Sequence, residues 1–210
     1  PSGNTPGVIA YHGSGADFNQ FKIEKVASGT GRTFFGHGIY FSSKKDVAEH
    51  YKAMRQQDIY DNIGKETEGV GYKVNLDVSD DQLINMGMKL NELPQKAQDV
   101  LRKYYDEYNL DENKLVVDLL SKMPNNPLGK NYRKSIILTS ELENAGYKGF
   151  KDPGNDGMPG TDRMGRHKYV KLPNDTMFVI FDDKTIKILE KFGIVGAVSL
   201  TPLISNKNNS

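Results

Sequence analysis

The chain has 210 residues, a formal net charge of +1 and no cysteine. This length can bury one hydrophobic core and indicates a single domain. The small net charge excludes a global field that would draw the chain to nucleic acid or to an anionic membrane. The lack of cysteine excludes disulfides and thiolate metal sites, and four histidines without ligand spacing predict no metal site.

Two short strands and a helix are predicted early in the chain. Apolar residues at Gly7–Tyr11 indicate a buried strand that ends in a turn at His12. A second strand is predicted at Ile39–Phe41. A capping box that begins at Ser43 is typical of a helix start, and Tyr51 falls on the inward face of that helix.

The later elements alternate between strands and helices. In chain order they are a strand at Gly71–Val78, two or three helices within Ser79–Ser121, a helix at Ile136–Ala145, and strands at Tyr147–Lys151, Met177–Phe181 and Thr185–Leu189. The segment Asp152–Asn174 is rich in glycine and proline and is predicted to be irregular. Together these elements predict an α+β fold with a helical insert.

The two ends of the chain suggest a piece of a longer protein. Pro1–Thr5 has neither the basic nor the apolar part of a secretory signal. Phe192–Ile204 is apolar and rich in small residues, but a bilayer span needs about 20 apolar residues. We expect residues 1–191 to form the domain. Residues 192–210 are expected to form a tail, either a linker to a larger parent protein or a disordered end.

Two glycine-containing phrases stand out from these elements. The phrase Y-H-G-S begins at Tyr11, and the phrase F-G-H-G-I-Y-F-S begins at Phe35. A single histidine or tyrosine at the end of a strand usually has a structural role. Here Gly13 follows the histidine, at a position where a backbone without a Cβ would let a flat amide ring approach closely. Tyr40 and Tyr51 come from different elements and could hold an aromatic ring between them.

In order and spacing, these motifs resemble the NAD site of ADP-ribosyltransferases of the diphtheria-toxin and poly(ADP-ribose) polymerase type. The wider order of motifs, including Y-K-V-N-L from Tyr72, A-G-Y-K-G-F from Ala145 and F-V-I-F-D-D from Phe178, is similar to that of the ADP-ribosyltransferase domains in phage and prophage polyvalent proteins. The resemblance implies two small antiparallel sheets split around an NAD cleft. It implies NAD as co-substrate and release of nicotinamide.

The resemblance also assigns roles to residues. The NAD-binding residues that it implies are His12, Gly13, Ser14, Arg32, Gly38, Tyr40 and Tyr51. His12 would bond a ribose hydroxyl, the Gly13 backbone would hold the carboxamide, and the two tyrosines would stack on nicotinamide. Arg32 would reach the pyrophosphate or the adenosine side.

The chain departs from the family pattern at two positions. Ala48 replaces a serine that often bonds the carboxamide, and Met177 replaces the glutamate that stabilises positive charge on the ribose. Asp175, two residues earlier and on the same strand face, is the candidate replacement, helped by Asn174. Alternatively, the site binds NAD and turns it over slowly, or only when a partner supplies the missing group. The catalytic candidates are therefore His12, Tyr40 and Asp175.

Three functions remain open from the sequence. The first is a mono-ADP-ribosyltransferase that acts as a phage or bacterial effector on a macromolecular acceptor, a monomer in the host cytoplasm delivered from a phage particle or as part of a larger protein. The second is a catalytically silent module that binds NAD or ADP-ribose in a phage structural or injected protein. The third is a structural nucleic-acid binder. The segment Asp152–Asn174 is either the target-recognition loop of the enzyme or a solvated loop, and its basic and aromatic residues suit a nucleic acid or an acidic protein face.

Overall fold

A computed structural model describes residues 7–28, 33–53, 69–124, 126, 129, 131–153, 158–161, 167–170 and 174–193, with the backbone alone at 27–28, 158–161 and 167–170. The strands are β1 (Val8–Ser14), β2 (Ile39–Ser42), β3 (Val70–Leu76), β4 (Leu83–Asn85), β5 (Gly149–Asp152), β6 (Met158–Thr161), β7 (His167–Val170), β8 (Met177–Ile180) and β9 (Ile186–Phe192). The helices are α1 (45–53), α2 (Gln95–Glu107), α3 (Val116–Lys122) and α4 (Arg133–Asn144). The described part of the chain is therefore a mixed α/β fold, as predicted. None of its helices is both long and apolar enough to cross a membrane.

Seven strands form one sheet in the order β4-β5-β8-β2-β1-β3-β9, and β6 pairs with β7 separately. β1 pairs with β3 through seven residue pairs, from Val8↔Leu76 to Ser14↔Val70. Its pairing with β2 has the single register pair Tyr11↔Ser42. The sheet therefore consists of two halves, β9–β3–β1 and β2–β8–β5–β4, that meet at a narrow junction, which we call the seam.

Alternate residues of the strands feed two separate cores, because successive side chains of a strand point to opposite faces. On one face, which we call the helical face, Phe150 and Val179 pack with α2, α3 and α4, and Tyr40 lies against this cluster. On the other face, Phe41 and Tyr72 belong to a second cluster. Apolar burial on both faces explains why the central strands contain few charged residues.

The positions of most predicted elements agree with the structure. The resemblance implied two small sheets around a cleft, whereas seven of the described strands belong to one sheet. Three local details also differ. His12 lies within β1 and not in a turn after it, because the β3 ladder continues to Ser14. A short strand, β4, precedes α2 and pairs in parallel with β5. Part of the segment predicted to be irregular forms the β6–β7 hairpin. Its ladder runs from Met158↔Val170 to Thr161↔His167.

Candidate functional site

His12 connects the two predicted motifs across the seam. Its Nδ1 lies 2.7 Å from the carbonyl oxygen of Tyr40. A carbonyl only accepts hydrogen bonds, so Nδ1 carries the proton, and in the neutral imidazole Nε2 carries the lone pair. The ring is half-buried and meets Phe21 edge-on, with the ring centroids 5.2 Å apart. In this tautomer the acceptor nitrogen of the ring is Nε2.

The Tyr40 side chain leaves the sheet on the helical face, opposite to the His12 ring. Its hydroxyl donates to the Gly36 carbonyl at 2.8 Å and accepts from the Phe35 N–H at 3.1 Å. Burial raises the pKa of this hydroxyl far above its ordinary value, and nearby Tyr132 and Tyr51 add smaller rises. Tyr51 is therefore close enough to affect the Tyr40 hydroxyl electrostatically. The His12 ring is hydrogen-bonded to the backbone carbonyl of Tyr40, and the two rings project from opposite faces of the sheet.

Gly13 lies directly beneath α1. A Cβ placed on Gly13 would be 2.1 Å from the Ala48 carbonyl oxygen and 2.6 Å from the Lys52 nitrogen. The helix backbone therefore fills the space next to the Gly13 α-carbon, on the side where an amide ring was expected to approach. Ser14 Oγ accepts a hydrogen bond from the Ala16 N–H at 3.1 Å. Gly13 and Ser14 both belong to the β1–β3 ladder.

The loop before β2 is tied to the start of α4 by polar side chains. The His37 N–H donates to Ser135 Oγ at 2.8 Å, and His37 Nδ1 lies 2.9 Å from the Tyr132 hydroxyl. Thr33 Oγ1 donates to the same hydroxyl at 3.1 Å. Burial lowers the pKa of His37 because it disfavours the imidazolium. Gly38 packs on β8, where a Cβ would lie 2.6 Å from Val179 Cγ1.

The sequence analysis did not predict these hydrogen bonds between the loop before β2 and the start of α4. Tyr132 and Ser135 lie about a hundred residues from the loop that they hold, and neither belongs to a motif. The motif F-G-H-G-I-Y-F offered one signal, since the histidine between its two glycines is a polar residue in an apolar phrase.

Asp175 is enclosed and held by two serines. Its Oδ1 accepts from Ser42 Oγ at 2.7 Å and from Ser43 Oγ at 2.9 Å. The residue is 1% exposed, and Oδ2 is buried without a hydrogen-bond partner among the described residues. A ribose hydroxyl could donate to Oδ2, but only after the atoms that enclose it separate. In this conformation, Asp175 joins the end of β2 to the start of β8.

The motif predicted that Ser43 caps α1, but its hydroxyl and its backbone N–H are hydrogen-bonded to Thr176. Its hydroxyl accepts from the Thr176 N–H at 2.9 Å, and its own N–H donates to the Thr176 carbonyl at 2.9 Å. Asn174 is exposed and has a φ of 64°. These contacts fix the connection between β2 and α1.

Other predicted positions lie beside the site or outside the described residues. Met177 is half-buried against the helical core, and Ala48 is buried on the inner face of α1. Arg32 lies outside the described residues, as does the tail from residue 194 onward. β9 runs through Phe192, one residue past the predicted domain boundary, and the Phe192 ring packs edge-on against Tyr11.

Comparison of the chain with protein-family models, with curated proteins and with solved structures gives no match.

Proposed function

We propose that this chain is an NAD-dependent mono-ADP-ribosyltransferase that transfers ADP-ribose to a macromolecular acceptor. The observation that carries the proposal is the 2.7 Å contact between His12 Nδ1 and the Tyr40 carbonyl at the seam. It brings together two motifs that lie 28 residues apart, at the point where the two halves of the sheet separate. The single β1–β2 register pair supports the split of the sheet that such transferases require.

The side chains proposed to contact a nicotinamide riboside leave opposite faces of the sheet at the seam, so the ligand would have to bind where the two halves part. In its neutral form, His12 would accept a hydrogen bond from a ribose hydroxyl through Nε2. Tyr40 and Tyr51 would contact the nicotinamide ring, since aromatic faces pair at ring separations of about 4.5–7 Å. Because α1 fills the space beside Gly13, the proposal requires α1 to move slightly away from β1 when NAD binds.

The proposed reaction breaks the bond between the ribose C1′ and the nicotinamide nitrogen. Nicotinamide leaves with the electron pair of that bond and becomes neutral. The acceptor then forms a bond to C1′ with its own lone pair and gives its proton to water. Positive charge builds on the ribose as the bond breaks, so fixed acceptors and anions beside the ribose would accelerate the step.

NAD carrying a label on its adenylate part, incubated with the protein and host lysate, tests this proposal. We expect labelled macromolecules and free nicotinamide, and we expect His12→Ala to lower both by about a hundredfold, the scale of a lost transition-state contact. His12→Asn can keep a short donor toward the Tyr40 carbonyl while removing Nε2. It should fold normally and lose activity. Lys96→Ala, on the exposed side of α2, is the matched control and should behave as wild type.

The rival function is a silent module that binds NAD or ADP-ribose, and the same experiment separates the two. NAD binding that His12→Ala weakens, without nicotinamide release or label transfer, would favour the module. If the protein has no affinity for NAD and binds nucleic acid with an affinity that falls steeply with salt concentration, both functions are contradicted.

A further inference from the structure

The buried carboxylate of Asp175 has one oxygen with two hydrogen bonds and one oxygen with none. Oδ1 accepts from Ser42 Oγ at 2.7 Å and from Ser43 Oγ at 2.9 Å. Each hydroxyl has a single proton, so neither serine can donate to Oδ2 without leaving Oδ1. Oδ2 has no partner among the described residues. Because a buried carboxylate oxygen without a donor is costly, Oδ2 marks a place for a donor that a ligand can supply.

The strand register places this carboxylate at one end of the seam. β1 and β2 are antiparallel, and their one register pair is Tyr11↔Ser42. Side chains alternate between the two faces of a sheet, so the next positions on the same face are Gly13 and Tyr40, which form no register pair. Tyr40 packs on the helical face, and Ser42, two residues later, leaves the same face. The opening between Gly13 and Tyr40 therefore ends at Ser42, whose hydroxyl holds Asp175.

On this face the nicotinamide part of NAD lies nearer to Asp175 than the ribose does. The His12 ring leaves the opposite face, next to Phe41, so the ribose that it is proposed to bond lies on that side of the seam. The nicotinamide ring is proposed to contact Tyr40, about 7 Å along β2 from Ser42 at about 3.4 Å per residue. The ring carries a carboxamide, which has two N–H donors and a carbonyl acceptor. A carboxylate only accepts, so a carboxamide N–H matches the oxygen of Asp175 that lacks a donor.

Access to Oδ2 depends on the movement of α1 that the proposed function requires. Asp175 is 1% exposed, so its carboxylate is closed off in this conformation. The two serines that hold it directly precede α1, and the Lys44 N–H between them and the helix donates to Ser42 Oγ at 2.9 Å. A shift of α1 away from β1 would therefore move the residues that enclose the carboxylate. A new hydrogen bond to Oδ2 would offset part of the cost of that shift.

We propose that Asp175 selects nicotinamide, with Oδ2 accepting a hydrogen bond from the carboxamide N–H2 group of NAD. The assignment rests on the proposed transferase function and gives Asp175 a role in recognition, in place of a contact with the ribose. No covalent bond forms at Asp175, and no proton is transferred to it. A ligand with a carboxylate in the position of the carboxamide would place a second negative charge against Asp175 and would be repelled.

Calorimetric binding of NAD and of two analogues to the full chain tests the assignment. One analogue has a carboxylate in place of the carboxamide, and the other has an acetyl group, which has no N–H donor. A lost hydrogen bond to a charged group weakens binding by about ten- to hundredfold. We therefore expect wild type to bind the acetyl analogue about tenfold more weakly than NAD. The carboxylate analogue should bind about a hundredfold more weakly, because repulsion adds to the lost bond.

Asp175→Asn should reduce this preference for the amide. Asparagine keeps an acceptor for the two serine hydroxyls and puts an N–H2 group in place of Oδ2. The carboxylate analogue should bind about tenfold more tightly than it does to wild type, so the preference for NAD over it should fall to about tenfold or less. Asp175→Ser removes the charge with a smaller side chain and should lower the preference as well. Asp106→Asn, the same change at an exposed position of α2, is the matched control and should leave all three affinities unchanged.

The outcomes separate an error in the assignment from an error in the proposed function. If wild type bound all three ligands equally, or if Asp175→Asn weakened all three by the same factor, Asp175 would only join β2 to β8. The assignment would then be overturned, while the transferase proposal would stand because NAD still binds. No binding of NAD to wild type would contradict the transferase itself. Urea denaturation of each variant separates a lost contact from a lost fold.

Discussion

The hydroxyl of Tyr40 is hydrogen-bonded to the loop before β2, while the ring faces the helical core. The hydroxyl donates to Gly36 and accepts from Phe35, so both bonds end on backbone groups of the same turn. Gly36 has a φ of +96°, a conformation that residues with a Cβ rarely adopt, and the tyrosine hydroxyl helps to hold it. The ring itself packs against the helical core and makes neither of these bonds.

Tyr40→Phe should therefore separate stability from NAD contact. Removing the hydroxyl leaves a donor and an acceptor of the turn without their partner, at a cost of about 2 kcal/mol in the free energy of unfolding. The Kd for NAD should change by less than threefold, since the ring stays. Tyr105→Phe removes a single bond to the Lys114 carbonyl and should cost about 1 kcal/mol. Urea denaturation and NAD titration measure the two effects, and a large loss of NAD affinity in Tyr40→Phe would contradict this division.

The residue pairs that complete the site were not predictable from the sequence, although its motifs were. His12, Tyr40 and Tyr51 stood out through local phrases and an eleven-residue spacing. The contact between Ser42 and Asp175 spans 133 residues, and that between His37 and Tyr132 spans 95. Such pairs depend on which strands and helices become neighbours in the fold, and the periodicity of apolar residues does not indicate which elements these are.

At the scale of elements, α1 rests on β1 because Gly13 has no side chain. The helix presents Ala48 at the contact, so two small residues allow two backbones to approach closely. Phe192 on β9 covers Gly71 in a similar way, where a Cβ would lie 2.0 Å from the phenyl ring. Gly13 and Gly71, on neighbouring strands, thus determine how closely α1 and Phe192 approach the sheet on the helical face.

Gly13→Ala should destabilise the protein through a steric clash. The new methyl group would meet helix backbone, which cannot rotate away, and overpacking of this kind costs about 2–3 kcal/mol. Gly146→Ala is the comparison, since Gly146 has a φ of +96° and open space around it, so only backbone strain of about 1 kcal/mol is expected. Chemical denaturation measures both variants. A smaller loss in Gly13→Ala than in Gly146→Ala would show that α1 is not held as described.

Strongly apolar segments were predicted well, including the four-residue strands β2 and β8, whereas β4 and the β6–β7 hairpin were not predicted. Leu101, Tyr104, Tyr105 and Tyr108 stand at helical spacing within Ser79–Ser121, and the first three lie on the buried face of α2, which ends just before Tyr108. β4 has three residues, too few to show alternation, and its pairing with β5 forms it. The β6–β7 hairpin lies in a glycine- and proline-rich stretch, where composition argued against strands.

For the whole molecule, the seam divides a seven-stranded sheet into halves with different supports. The β9–β3–β1 half carries α1 on the helical face. On the other face one apolar cluster spans both halves, since it includes Tyr72 of β3 and Phe41 of β2. The β2–β8–β5–β4 half carries α2, α3 and α4. One β1–β2 register pair, the His12 contact to Tyr40 and the shared apolar cluster connect the halves. A ligand bound at the seam would contact both halves, and opening of the seam would release it.

Hydrogen exchange with and without NAD tests this view of the molecule. Amides of β1 and β2 that exchange through opening of the seam should slow by about a hundredfold when NAD is present at 100 times its Kd, because each opening then costs about 2.7 kcal/mol more. Amides at the exposed ends of α2 exchange by fraying that leaves the seam intact, so their rates should not change. In His12→Ala the slowing at β1 and β2 should disappear. If NAD slowed exchange equally in wild type and His12→Ala, its binding site would lie away from the seam.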